Sequence, residues 1–232
     1  MLIIWIILIA VPMLFGLYAQ MRVMSSYRKN IEIPTRGGVT GLEAAAAVME
    51  SAGVHDVEIV EVEGMLSDHY VPSQKRLALS SANFNGTSLA AVGVAAHEAG
   101  HAIQHKVGYA MMEVRQSLVP IVQIASPIAG LLIGFVLYFV GMAAGGIFVK
   151  IALGALLVVA LFQFVTLPVE FDATRRAKAQ LVNLGILDAD EMPGVHETLD
   201  AAALTYVAAF VASLGQILHL LMMLGGGSRR DD

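Results

Sequence analysis

The chain of 232 residues is strongly apolar, since 57% of its residues are hydrophobic and only 14% are charged. This composition excludes an ordinary soluble domain and indicates an integral membrane protein. Cysteine is absent, so disulfides and thiolate metal sites are excluded, and any metal ion must be held by His, Asp or Glu. The net charge of −5 is small, and no basic stretch interleaved with aromatic residues predicts binding to nucleic acid.

The chain opens with "MLIIWIILIAVPMLFGLYAQ", an apolar stretch about long enough to span a bilayer, which takes roughly 20 residues. It lacks the charged start and the shorter apolar core of a secretory signal peptide, so we interpret it as an uncleaved anchor. Later, an uncharged run begins at Leu118 and apolar sequence continues to Val169, which is too long for one helix. We therefore predict a turn at Gly141–Gly146 and transmembrane spans at about residues 2–19, 118–140, 147–167 and 201–224.

Between the first two spans, the sequence predicts a small mixture of helices and strands. Thr40 and Glu43 form a capping-box pattern at the start of a helix that Gly53 ends. "HDVEIVEVEG" alternates like a strand, and "MLSDHYVPSQKRLALS" predicts an extended segment, a turn at Pro72, and a strand at Arg76–Leu79. "SLAAVGVAAHEAGHAIQHKVG" predicts one helix from about Ser88 to Lys106, closed by glycine.

After the third span, "EFDATRRAKAQLVNLG" predicts a separate amphipathic helix that Gly185 stops. The next residues, Leu187–Asp200, predict a polar connection to the last span. The second and third spans form a hairpin, so the segments before and after this hairpin lie on the same side of the membrane. The basic residues of these segments are Arg22, Arg28, Lys29, Arg36, Lys106, Arg115, Arg175, Arg176 and Lys178. The positive-inside rule makes this side the cytoplasm, although Arg229 and Arg230 at the end of the chain depart from it.

The predicted helix before Lys106 carries "HEAGH", in which two histidines lie four residues apart. On a helix this spacing is about one turn, so His97 and His101 project from the same face and can bind one zinc ion. Glu98 lies one step around the helix and is placed to touch a water molecule on that ion, as in the H-E-x-x-H metallopeptidases. Gly100, between the histidines, leaves room for another backbone to pack closely.

Two histidines and a water leave one zinc ligand to be supplied. His105 is excluded by geometry, because it lies two turns beyond His97, about 12 Å along a straight helix. Glu170 follows the predicted membrane hairpin, which returns the chain to the side it left. Its position equally fits an acidic residue that opens a helix and interacts with the macrodipole. The alternatives with suitable donor atoms are Glu197, Asp200, Asp68 and His69.

Three motifs, "HEAGHAIQH", "LPVEFDATRRA" and "LDAAALTYVAA", together resemble the YugP-type neutral zinc metallopeptidases of bacterial membranes. The likeness continues through "TGLEAA", "SDHYVP" and "LALS", and the family is distantly similar to HtpX-like and CAAX-type membrane metallopeptidases. The resemblance implies that His97, His101 and Glu170 hold the metal and that Glu98 is the general base. Relatives often place an aspartate four residues after the glutamate ligand to orient a zinc histidine.

Here Thr174 occupies that position, and the nearest aspartate, Asp172, comes two residues after Glu170. Asp172 is therefore the candidate for orienting a histidine, with pairing to Arg175 or Arg176 as the alternative. In zincins, an edge strand above the metal pairs with the extended substrate. The segment "LSDHYVPSQKRLALS" corresponds to such strands.

We thus expect a single-domain, mainly α integral membrane protein over residues 1–232, with about four transmembrane helices and a small α+β zincin-like unit. Its catalytic segments, about 20–117 and 168–200, are expected on the cytoplasmic side of the bacterial inner membrane. The predicted function is that of a zinc metalloendopeptidase of the gluzincin type, with one Zn²⁺ and a zinc-activated water. Its partners are the lipid bilayer and protein or peptide substrates, including membrane proteins, and a regulatory membrane partner is left open.

Two alternative functions also fit the sequence. One is an intramembrane protease of the site-two type, in which H-E-x-x-H lies inside a transmembrane helix. The charges at Lys106 and Arg115, close to the motif, argue against it. The other is a non-proteolytic scaffold that keeps a structural zinc ion, and an intact Glu98 argues against that because a structural site needs no base.

Overall fold

The computed structural model describes residues 2–138 and 145–227. In chain order, these residues form α1 (Leu2–Asn30), α2 (Gly41–Ser51), β1 (Glu58–Val62), β2 (His69–Val71), β3 (Arg76–Ser80), α3 (Ser81–Phe84), α4 (Leu89–Lys106), α5 (Ala110–Tyr138), α6 (Gly145–Asn183) and α7 (Met192–Gly227). A short 3₁₀ turn, Pro72–Gln74, joins β2 to β3. The predicted fold class, mainly helical with a small sheet, is confirmed.

Four helices of the described chain are long and apolar enough to cross a membrane. Their candidate spans are Ile6–Asn30, Ala110–Gly134, Ile147–Asn183 and Met192–Gly225. Each contains most or all of one predicted span. The protein is therefore a membrane protein with four candidate transmembrane helices, as its composition indicates.

The chain divides into two compact units, and all four long helices contribute to both. The unit that we call the membrane unit comprises Met1–Tyr18, Val114–Leu167 and Thr205–Asp232. The unit that we call the α/β unit comprises Ala19–Glu113 and Pro168–Leu204. The sheet and the HEAGH motif both belong to the α/β unit.

The membrane unit has a core of small and aliphatic residues from α5, α6 and α7. Its buried members are Ala129, Val149, Ala152, Leu156, Ala160, Ile217 and Leu220. Large apolar side chains also point outward, such as Leu131, which is 75% exposed, and Ile124, which is 67% exposed. Apolar side chains that face away from the core on several helices form the kind of surface that lipid covers.

The α/β unit is organised around α4, which is almost completely buried. Six of its 18 residues are alanine, and this small-residue content allows α2, α3 and the sheet to pack closely against it. The surrounding core includes Val48, Leu77, Leu79, Leu181 and Val195. Ser88 caps the start of α4, its hydroxyl accepting from the Ala91 N–H, and the predicted end at Lys106 is confirmed.

The three-stranded sheet has the order β1-β3-β2, with β3 in the centre. β1 is parallel to β3, whereas β2 is antiparallel to it, with Tyr70 opposite Leu77. The predicted strands and the turn at Pro72 are confirmed, as is the capping box, in which Thr40 and Glu43 exchange hydrogen bonds. β2 is an edge strand of three residues.

Two of the later helices begin before the predicted membrane spans, and the predicted polar connection at Leu187–Asp200 is wrong in part because a helix begins inside it. α5 begins at Ala110, eight residues before the predicted span, and α7 begins at Met192 inside the predicted polar connection. Apolarity marks where a bilayer can begin, but helical hydrogen bonding continues beyond that point. Pro193 in the first turn of α7 suits a helix start, because the first N–H groups have no intrahelical partner.

The separate amphipathic helix predicted after the third span is also wrong. α6 continues without a break from Gly145 to Asn183, with Pro168 inside it. Glu170 is therefore an interior helix residue, which removes the interpretation that it opens a helix. The predicted turn lies outside the described residues at positions 141–144, while Gly145 and Gly146 begin α6. Arg229 and Arg230 also lie beyond the described part of the chain.

Candidate metal centre

α4 carries the two histidines of the HEAGH motif on one face of the helix. Their ring centroids lie 4.8 Å apart, with the ring planes at 84° in an edge-to-face arrangement. The His101 side chain is buried and that of His97 is 14% exposed. The predicted one-turn spacing thus places both imidazoles side by side in a largely dehydrated part of the α/β unit.

Glu170 on α6 faces both rings. Its Oε2 atom lies 3.3 Å from His97 Nε2 and 3.5 Å from His101 Nε2. Charge-assisted N–H···O hydrogen bonds are normally about 2.7–2.9 Å long, so these separations are wide for direct pairing. Ligands bound tetrahedrally at 2.0–2.1 Å around one zinc ion lie about 3.4 Å apart, which matches both distances.

These three residues form a group that can hold a metal ion. One ligand atom from each residue lies within 4.8 Å of the other two. Among residues 2–138 and 145–227, no other three His, Asp or Glu residues bring their ligand atoms together in this way. Two neutral imidazoles and one carboxylate are a donor set that suits zinc. The residues therefore fit the metal that the sequence predicts.

Helices α4 and α6 come unusually close at Gly100, as the sequence predicts for this glycine. A Cβ atom built on Gly100 would lie 2.7 Å from the backbone oxygen of Ala173. This contact is with backbone, so it cannot be relieved by a side-chain rotation. The absence of a side chain at Gly100 therefore allows α6 to bring Glu170 to the two histidines.

Gly100→Ala is expected to lower the stability of the protein by about 1–3 kcal/mol, because the added methyl group forces the helices apart. The higher helix propensity of alanine offsets only about 1 kcal/mol of this cost. Thermal unfolding in detergent measures the change. Gly154→Ala is the matched control, since a Cβ at Gly154 meets no atom within 4 Å. Equal unfolding temperatures for the two variants would contradict the close packing at Gly100.

The Nδ1 atoms of the two histidines also have partners, and neither partner was predicted. His97 Nδ1 lies 3.1 Å from Thr174 Oγ1, and His101 Nδ1 lies 3.0 Å from Gln104 Oε1. Helical spacing is a signal that could have found both, because Thr174 lies one turn after Glu170 and Gln104 lies one turn after His101. With the Nδ1 atoms engaged in this way, the Nε2 atoms are the ones that face Glu170.

Glu98 is 8% exposed and lies in the electrostatic environment of the same cluster. Burial raises the pKa of its carboxyl group, and the carboxylates of Glu170 and Asp68 act in the same direction, against the two histidines. For His101, burial alone would lower the pKa, but the carboxylates of Glu170 and Glu98 raise it overall. A buried carboxyl group with a raised pKa is well suited to accept and release a proton.

Asp172 lies on α6 beside this cluster. Its carboxylate accepts hydrogen bonds from Arg175, from Arg176 Nε at 2.5 Å, and from Gln104 Nε2 at 3.0 Å. The predicted arginine pairing is thus present. The structure also connects Asp172 to His101, through Gln104 as an intermediary.

The other residues considered as ligands are engaged elsewhere in the α/β unit. His105 Nδ1 is 2.8 Å from Tyr70 Oη, and His69 Nδ1 is 2.7 Å from the Ser67 carbonyl oxygen. The carboxylates form other contacts: Glu197 with Lys29, Asp200 with Lys178, and Asp68 with Ser80 and Asn83. The geometry therefore favours Glu170 over each alternative.

Comparison with known proteins gives a consistent result. A family model described as "Putative neutral zinc metallopeptidase" matches residues 5–225. A Bacillus subtilis (strain 168) protein named "Putative membrane protease YugP" is 39% identical over 212 residues, which cover 90% of this chain and 92% of that protein. No solved structure is significantly similar. The chain thus belongs to the neutral zinc metallopeptidase family that this model describes.

Proposed function

We propose that the protein is a membrane-bound zinc metalloendopeptidase, in which His97, His101 and Glu170 hold one Zn²⁺ and Glu98 is the general base. The observation that carries this proposal is the distance of Glu170 Oε2 from the two Nε2 atoms, 3.3 and 3.5 Å, next to a buried glutamate. Membership of a zinc metallopeptidase family supports it.

Bound zinc would act as a Lewis acid that polarises the scissile carbonyl group and makes water acidic enough to deprotonate near neutral pH. Glu98 takes the proton from the water molecule as its oxygen attacks the carbonyl carbon. The same carboxyl group then gives that proton to the amine nitrogen as the C–N bond breaks. The raised pKa of Glu98 supports this role, because a carboxylate that protonates more readily is a better acceptor for the proton of water in the first step.

The substrates that we propose are proteins, including membrane proteins and their segments next to the bilayer. The four candidate spans tether the site to a membrane, which favours substrates held at the same surface. β2 is an edge strand, so it offers unpaired backbone groups to which an extended peptide can add. The basic residues beside the spans support a cytoplasmic orientation in the bacterial inner membrane.

Within the part of the chain that the structure describes, α4 is not among the helices apolar and long enough to span a membrane. This supports a site outside the bilayer over an intramembrane protease of the site-two type. The α/β unit contains Ala19–Glu113 and Pro168–Leu204, which are close to the proposed catalytic segments, about 20–117 and 168–200.

The proposed function predicts that metal removal abolishes proteolysis. Protein purified in detergent should cleave an unfolded substrate such as casein, and 1,10-phenanthroline should stop the cleavage. Stoichiometric zinc, added after the chelator is removed, should restore the activity. The non-chelating isomer 1,7-phenanthroline is the control for inhibition by the ring system itself. Unchanged cleavage by protein that contains no zinc would contradict the proposal.

A further inference from the structure

Gln104 is completely buried, although its side-chain amide has an NH₂ group with two hydrogen-bond donors and a carbonyl oxygen that accepts. Buried polar groups are normally hydrogen-bonded, and this one has three partners. Its Oε1 lies 3.0 Å from His101 Nδ1. Its Nε2 lies 2.8 Å from the Val169 carbonyl oxygen and 3.0 Å from Asp172 Oδ2.

The chemistry of these partners fixes the orientation of the amide. A carbonyl oxygen and a carboxylate accept hydrogen bonds and cannot donate them, so the amide NH₂ group must face Val169 and Asp172. The opposite orientation would place Oε1 against two acceptors. Oε1 consequently faces His101, and because it can only accept, His101 Nδ1 must carry the proton.

A proton on Nδ1 leaves the lone pair of the neutral imidazole on Nε2. Nε2 is the His101 atom that lies 3.5 Å from Glu170 Oε2, on the metal side of the ring. Asp172 is held by Arg175 and Arg176, so its side chain is fixed as an acceptor for Gln104. At His97 the partner is the Thr174 hydroxyl, which can donate or accept and so imposes no such choice.

We propose that Gln104 is a positioning residue that holds His101 in the zinc-binding tautomer and transmits the fixed position of Asp172 to the metal site. This inference rests on the proposed zinc site. It assigns to a glutamine the role that a carboxylate often has beside a zinc histidine. It also gives Asp172 an indirect function, exerted through Gln104 and without contact to a histidine.

The test measures zinc affinity by competition with a chelator, together with thermal unfolding of the metal-free protein. Gln104→Met keeps the size of the side chain but removes its acceptor, and it should weaken zinc binding about 10–100-fold. Gln104→Glu keeps an oxygen that accepts from His101 Nδ1, and its second oxygen can replace the amide NH₂ as a donor to Asp172 Oδ2 when it is protonated. In that form it should bind zinc more tightly than Gln104→Met. Rescue by the variant that retains the acceptor would not be expected of a residue that only fills space.

Zinc affinity equal to that of the wild type in Gln104→Met would overturn the inference. The inference would also be overturned if both variants lost zinc affinity equally and in proportion to their loss of stability without metal. If neither variant folds, the ¹⁵N NMR spectrum of zinc-loaded wild-type protein decides: His101 should be protonated at Nδ1, and zinc bound to Nδ1 would overturn the inference. Absence of zinc binding by the wild-type protein would instead refute the proposed site itself, so the two failures are distinguishable.

Discussion

Glu98→Gln is expected to lower kcat/KM for peptide hydrolysis by about 10²–10⁴-fold, the usual contribution of a general acid–base residue. The amide is nearly the same size as the carboxyl group but cannot take the proton from water or return it to the leaving amine. Because Glu98 is not one of the three proposed ligands, the variant should retain its zinc. Activity on casein and zinc content, measured on the same preparation, separate these two effects.

Glu50→Gln is the matched control for this experiment. Glu50 lies in the same unit, on α2, and its side chain is exposed. The same chemical change there should leave both activity and zinc content unaltered. Full activity of the Glu98 variant would show that another group moves the proton, and loss of zinc would show that Glu98 helps to hold the metal.

Glu170→Gln is expected to weaken zinc binding by more than about 100-fold, which exceeds the effect of losing a residue that only orients a ligand. The substitution preserves shape but replaces an anionic donor with a neutral amide, next to two neutral imidazoles. Zinc content after dialysis against a weak chelator measures the loss, and proteolysis should fall with it.

The control for the third ligand is Glu197→Gln, because the sequence leaves Glu197 open as an alternative. In the structure, its carboxylate is 2.8 Å from Lys29 Nζ, on the surface of the α/β unit. This variant should keep its zinc. If Glu170→Gln retained zinc and Glu197→Gln lost it, the metal ligands would have to be different from those proposed.

Features that depend on local spacing are predicted well from the sequence. The capping box at Thr40, the helix that carries HEAGH, and the strands on either side of Pro72 each follow from residues a few positions apart. The exclusion of His105 follows in the same way, since helix geometry alone separates it from His97. The structure places its ring against Tyr70.

Features that depend on contacts between helices are predicted less well. The sequence offers several acidic residues as the third ligand, and only the packing of α4 against α6 at Gly100 places Glu170 beside the histidines. The sequence does not predict that α6 continues through Pro168, because the end of an apolar run shows where a membrane span can end but does not show where the helix ends. Spacing along one helix places Gln104 near His101 and Thr174 near Glu170, but it does not show that Gln104 contacts Val169 or that Thr174 contacts His97, since these contacts join α4 to α6.

Two histidines and one carboxylate should hold a single zinc ion in this protein. Zinc K-edge X-ray absorption of the purified protein measures this ligand set, because imidazole rings give a distinct multiple-scattering signal. We expect two imidazole ligands per zinc, with oxygen ligands at about 2.0–2.2 Å in the remaining positions. Three imidazoles per zinc would contradict it, since a third histidine would then occupy the position that we assign to Glu170.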